Sequence, residues 1–247
     1  MAIEINLVKK PKMKKSLLIE GFPGIGLVGT ISASYLIEKL KMELLGYITG
    51  DSFPPLAAVH NHRPLYPARM YWSSKHNLIV FVSEFVIPMG AVNELADKIY
   101  DFARKNRVQK IVSLGGITIK GEQDTVYAIA SLPQLDEKLQ KIKGVQLIKE
   151  GATTGVTGVL LARGAIENFP VVSLLAESQE GYMDPKAASM VLGVLSEMLR
   201  IPIDTSALEI EAKLIDEKVK RIISKAKNSH SEYKKTQEDA SLGQMYG

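Results

Sequence analysis

The sequence contains no cysteine, which removes disulfides, thiolate metal sites and thiol nucleophiles in one step. Aromatic residues make up only 6%, and no basic stripe carries the interleaved aromatics on which nucleic-acid bases stack. No apolar run approaches the roughly 18 residues of a membrane-spanning helix, the longest candidates being broken by Glu20 and Glu197. Residues 1–15 lack the apolar stretch of a secretory signal, so a cytoplasmic protein without membrane or nucleic-acid partners is expected. Three catalytic signatures are missing as well: the G-x-x-x-x-G-K-[ST] phosphate loop, H-E-x-x-H and the G-x-S-x-G elbow.

What is present points to a folded core. With 247 residues, 46% hydrophobic and 23% charged, the chain has the composition of one large globular domain or two small ones. Its 24 lysines, 7 arginines and 18 glutamates resemble the surface of a thermophilic protein. The basic pI of 9.0 is local in origin. Lys9, Lys10, Lys12, Lys14 and Lys15 cluster around Pro11, and without these five the formal charge is −1. Such a run reads as a solvated turn before the first core strand.

Short apolar runs alternate with helical patterns. Strands are expected at Ser16–Gly21, Leu44–Ile48, Leu78–Val82, Val108–Leu114 (ended by Gly115-Gly116), Val145–Lys149 and Val171–Ala176. Helices are expected at 25–40, 155–163 and through Val92, Leu95, Ile99 and Phe102, whose spacing is helical. His60-Asn61-His62-Arg63-Pro64 reads as a hairpin turn. The alternation predicts a single α/β domain with a largely parallel sheet covered by helices on both faces. Asp184-Pro185 supplies an N-cap and a proline at the first helical position for a helix over 187–199. A capping-box sequence at Ser206–Glu209 predicts a long helix to about Lys227. Its apolar positions Leu208, Ala212, Ile215, Val219, Ile222 and Ala226 form a 3.5-residue seam, suited to packing within or between subunits. Residues 228–244 are polar and predict a flexible tail, so the chain divides into a domain over 1–227 and a tail over 228–247.

The sharpest local motif is Gly24-x-Gly26-x-x-Gly29 between a strand and a helix. In that context it is a candidate dinucleotide loop, with a pyrophosphate approaching the helix N-terminus and Asp51 after the next strand as the ribose acid. The alternative is that the glycines permit tight turns and close packing. Glu20, Glu84 and Glu177 fall near strand ends and read as polar edge residues rather than an acid–base pair. His60 and His62 would share a face in a strand, but no spacing supplies a third ligand, so no metal is expected.

Four stretches together suggest a family: Glu20-Gly21-Phe22-Pro23-Gly24-Ile25-Gly26-Leu27-Val28-Gly29, Gly115-Gly116, Gly155-Val156-Thr157-Gly158-Val159-Leu160-Leu161, and Gly181-Tyr182-Met183-Asp184-Pro185-Lys186-Ala187-Ala188. They resemble the archaeal branch of the proteasome assembly chaperone family over about 16–227. The resemblance implies a fold similar to nucleoside phosphorylases and action by binding proteasome subunits, without catalysis or cofactor. It also implies a homo-oligomer, for which a tetramer is the first expectation and a pentamer the alternative. Met245-Tyr246-Gly247 then looks like the hydrophobic–Tyr–any motif by which proteasome activators dock between α-subunits of the core particle. Gly24, Gly26 and Gly29 become a vestigial ligand loop in this reading. The competing class is a nucleotide- or nucleoside-binding enzyme, ligase- or phosphorylase-like, that uses the same loop.

Overall fold

A computed structural model describes residues 2–118 except 12 and 14, residues 125–208 except 180 and 182, and positions 210, 214 and 217. The predicted tail over 228–247 and the seam positions beyond Leu208 lie outside the described residues. Among the described residues the strands and α-helices with defined bounds follow in chain order: β1 (Ile3–Leu7), β2 (Leu17–Gly21), α1 (Val28–Lys39), β3 (Glu43–Gly50), β4 (Ala58–His60), β5 (Arg63–Leu65), β6 (Ala68–Ser73), β7 (Leu78–Ser83), α2 (Val92–Lys105), β8 (Lys110–Ile117), β9 (Val126–Ala130), α3 (Pro133–Gln140), β10 (Val145–Leu147), α4 (Gly155–Ile166), β11 (Val171–Glu177) and α5 (Pro185–Leu199).

Nine strands form one sheet in the order β1-β3-β6-β7-β2-β8-β11-β9-β10. Its centre, β7-β2-β8-β11, is parallel. The predicted parallel sheet is this centre. Outward of β7 the ladders β7–β6, β6–β3 and β3–β1 are antiparallel, and β9 runs antiparallel to β11. The central strands are apolar on both sides because each face carries helices. Ile19, Val80, Val112 and Val172 pack toward a core that includes residues of α1, α3 and α5. Leu18, Ile79, Ile111 and Val171 alternate to a second core with α2 and α4. The result is three layers, with a core on each side of the sheet.

Most predicted elements form where expected. The helical positions Val92, Leu95, Ile99 and Phe102 of α2 are all buried. Asp184 caps α5 by accepting the Ala187 N–H at 2.9 Å. Asn61 and His62 both have positive φ, at 48° and 62°, as a two-residue hairpin turn between β4 and β5 requires. One boundary is corrected: β8 does not stop at Gly115-Gly116 but runs to Ile117, paired with β11 throughout. The glycines serve contact rather than termination. A Cβ on Gly116 would lie 2.3 Å from the Ile25 carbonyl oxygen, so its absence lets the turn before α1 lie directly on the strand.

Candidate functional site

The C-terminal ends of the parallel strands open onto a cleft of about 880 Å³, where ligands of open α/β sheets bind. Four segments frame it: the 20–25 turn after β2, the 86–89 loop after β7, the 114–118 end of β8, and the 148–158 loop leading into α4. A smaller depression of about 630 Å³ lies beside the β4–β5 hairpin, lined by Phe53, Pro54, Tyr66 and neighbours.

Glu20 sits on the cleft wall. The alternation of β2 sends Leu18 toward α2 and α4 and Ile19 the other way, so Glu20 also faces α4. It is 2% exposed. The Phe22 N–H donates to its Oε1 at 2.9 Å, and the Thr157 hydroxyl donates to its Oε2 at 3.2 Å from the first turn of α4. Burial pushes its carboxyl above the ordinary range, against the opposing effect of the neighbouring Ser113 hydroxyl and of the hydrogen bonds from Phe22 and Thr157. Among the described residues no lysine, arginine or histidine pairs with it.

Glu84, just past the end of β7, is buried too but differently supported. His60 Nε2 lies 2.7 Å from its Oε1, and Arg69 donates to the same oxygen. Arg69 is fixed by donating to the Tyr66 carbonyl at 2.8 Å and to the Tyr71 hydroxyl at 3.0 Å. Burial opposes ionisation of Glu84, yet the His60 hydrogen bond and the Arg69 and His60 charges outweigh it and hold the carboxyl below its usual range. The expectation of three polar edge residues is thus corrected. Glu20 and Glu84 are interior because β2 and β7 are central strands, and only Glu177 is exposed. His60 is engaged with Glu84, while His62 is exposed in the hairpin turn, so the two do not share a strand face.

The three loop glycines have separate duties. Gly24 lines the cleft, and a Cβ there would meet nothing within 4 Å. Gly26 has φ 62°, and a Cβ would lie 1.9 Å from the Ser178 hydroxyl oxygen. A Cβ on Gly29 would come 2.3 Å from the Leu114 carbonyl oxygen. The first turn of α1 is buried from Val28 to Ile31, and the Asp184 N–H donates to the Gly26 carbonyl at 3.0 Å. A pyrophosphate in the dinucleotide mode needs that helix end open. Here protein covers it, so Gly26 and Gly29 serve packing, and only Gly24 of the three faces the cleft.

Sequence reasoning noted Glu20 but missed its setting and its partner Thr157. The signal was a lone carboxylate inside Leu17-Leu18-Ile19-Glu20-Gly21, a run apolar enough for a strand covered on both faces. Met245, Tyr246 and Gly247 lie outside the described residues. No helix among the described residues is long and apolar enough to cross a membrane.

Comparisons with known proteins agree with this architecture. The crystal structure of Pyrococcus furiosus PbaA, described as an archaeal homologue of proteasome-assembly chaperone, is 30% identical with a TM-score of 0.78, over 99% of each chain. That of Pyrococcus furiosus PbaB, described as an archaeal proteasome activator, is 28% identical with a TM-score of 0.75, over 89% of this chain and 98% of that one. An uncharacterised protein of Methanocaldococcus jannaschii is 30% identical over 224 residues, 90% of this chain and 92% of the relative. The family model described as PAC2 family matches residues 18–223, and the chain belongs to that family.

Proposed function

We propose that this protein is a non-catalytic, homo-oligomeric proteasome assembly chaperone or activator. On this reading it docks on the α-ring of the core particle through Met245, Tyr246 and Gly247. The observation that carries it is likeness to PbaA over 99% of both chains, since similarity of the whole body favours similarity of task. The sequence Met245-Tyr246-Gly247 behind a polar stretch supplies the contact.

The chemistry suits a docking peptide. A tyrosine ring offers rigid apolar area with a hydroxyl that still finds a partner, and methionine adapts to an uneven pocket. One tail binds weakly because ordering a flexible segment offsets much of the contact energy. Several tails on one oligomer gain effective concentration if the tethers reach. The 17 residues from 228 to 244 span roughly 20–25 Å as a coil and about 60 Å when stretched, enough to tolerate a symmetry mismatch between rings.

The test is co-sedimentation with purified core particles, accompanied by peptide hydrolysis. Tyr246→Ala and deletion of 245–247 should each abolish binding and leave the oligomer intact. Undiminished binding by the truncated protein rejects the docking assignment.

A further inference from the structure

We infer that the cleft above β2 and β8 is a small-molecule site for an organic cation, with Glu20 as the counter-charge and the apolar walls receiving the ligand's body.

The inference begins with an imbalance. Buried charges are ordinarily paired or neutralised, and Glu84 shows how this fold does so, with Arg69 and His60 on one carboxylate oxygen. Glu20 is as deeply buried, yet the donors holding it are both neutral: the Phe22 amide and the Thr157 hydroxyl. Those donors orient the carboxylate and leave acceptor capacity, since two oxygens offer about four lone-pair sites. A carboxylate that only tied the turn to α4 could be a glutamine, which keeps an acceptor oxygen and needs no counter-charge. Lys149 lines the same cleft without pairing to Glu20, and a buried carboxylate on the cleft wall with no cationic partner among the described residues fits a cationic guest.

The walls define the rest of that guest. Phe22, Val86, Ile87, Val92, Leu161 and Leu175 present apolar surface around the carboxylate. Gly24, where a Cβ would meet nothing within 4 Å, leaves backbone where a side chain would narrow the space. The volume falls within the several hundred to about a thousand cubic ångströms usual for small-molecule sites. At the outer edge Val86 and Met89 remain 59% and 81% exposed, extending the apolar surface to the mouth. The ligand class is therefore a small amine or guanidine on an aromatic or aliphatic body, rather than a nucleotide, whose phosphates would meet Glu20 with like charge.

Calorimetric titration of the full chain distinguishes the elements of this assignment. Three probes share one body: tryptamine carries an ammonium, tryptophol a hydroxyl and indole-3-acetate a carboxylate. Tryptamine should bind at least tenfold more tightly than tryptophol, with indole-3-acetate weakest. Glu20→Gln should bring tryptamine to the affinity of tryptophol. Gly24→Trp, which places a ring in open space on the cleft wall, should abolish binding of both without touching the carboxylate. Deleting 245–247 should leave these affinities unchanged, which separates this site from tail docking. No binding of tryptamine, equal affinities for tryptamine and tryptophol, or affinities unmoved by both substitutions would each overturn the assignment.

Discussion

Glu20 and Glu84 end neighbouring parallel strands, are both almost fully buried, and are handled in opposite ways. Glu84 is surrounded by charge: Arg69 and His60 share its Oε1, and its carboxyl is held below the usual range. Glu20 meets only neutral donors, and burial drives its carboxyl upward. The difference follows from the neighbouring strands. On the β7 side, antiparallel β6 brings Arg69 against β7, and the β4–β5 hairpin brings His60 over it. On the β2 side the neighbours are β7 and β8, which set Phe81 and Ser113 rather than a cation opposite Glu20, and a glycine turn leaves the end open as a cleft. One carboxylate closes the structure, and the other faces the space that a ligand would enter.

The largest effect should come from breaking the closed side. Arg69→Met leaves Glu84 with His60 alone, and removing one partner of a buried ion pair typically costs about 3–5 kcal/mol. Urea unfolding at fixed protein concentration measures this loss. A cost below about 1 kcal/mol would place the pair in the class of exposed ion pairs and remove the contrast with Glu20.

A smaller loss is expected on the open side, through the turn that supplies the Phe22 amide. Gly29→Ala forces a methyl to within 2.3 Å of the Leu114 carbonyl oxygen and 2.9 Å of that of Phe22, both backbone atoms. Overpacking of this kind costs about 1–3 kcal/mol. Gly24→Ala, five residues earlier in the turn that leads into α1, meets open space at φ −150° and should leave the unfolding midpoint nearly unchanged. Equal effects at the two positions would show that the loop does not divide into a packed part and a cleft-lining part.

The central fold was legible because its signals are local. Apolar runs such as Leu78–Val82 and the helical spacing of Val92, Leu95, Ile99 and Phe102 announce elements without reference to their neighbours. The antiparallel flank was not, because β1 (Ile3–Leu7) alternates buried and exposed residues over a short, partly polar stretch, and β6 carries Arg69 at a buried position. Strand direction beyond β7 depends on which strands pair, a long-range outcome. The site was half legible for the same reason. Gly24, Gly26 and Gly29 were conspicuous, but their spacing says nothing about which carbonyl each one faces. Glu20 became interpretable only when β7 and β8 enclosed β2 and α4 brought Thr157 onto its second oxygen.

The smallest effect, and the one that sets the two carboxylates most directly against each other, is the pH dependence of stability. A carboxylate whose folded pKa lies below its unfolded value stabilises the fold above that unfolded value and loses the contribution as pH falls through the folded pKa. Glu84 is of this kind. With the opposite shift the favourable contribution is complete below the unfolded value, 4.5 for a glutamate, and is lost as pH rises through the raised pKa; this is Glu20. Glu20→Gln should therefore match the parent protein below pH 4.5 and be the more stable of the two at neutral pH. Glu84→Gln should be less stable than the parent at neutral pH, with the gap closing as acid protonates Glu84 and leaves Arg69 without its counter-charge in both proteins. Urea unfolding across that interval gives two difference curves of opposite sign. If the Glu20→Gln curve also fell below the parent at neutral pH, its ionised form would be stabilised by a charge in the folded protein, and the asymmetry between the two strand ends would disappear.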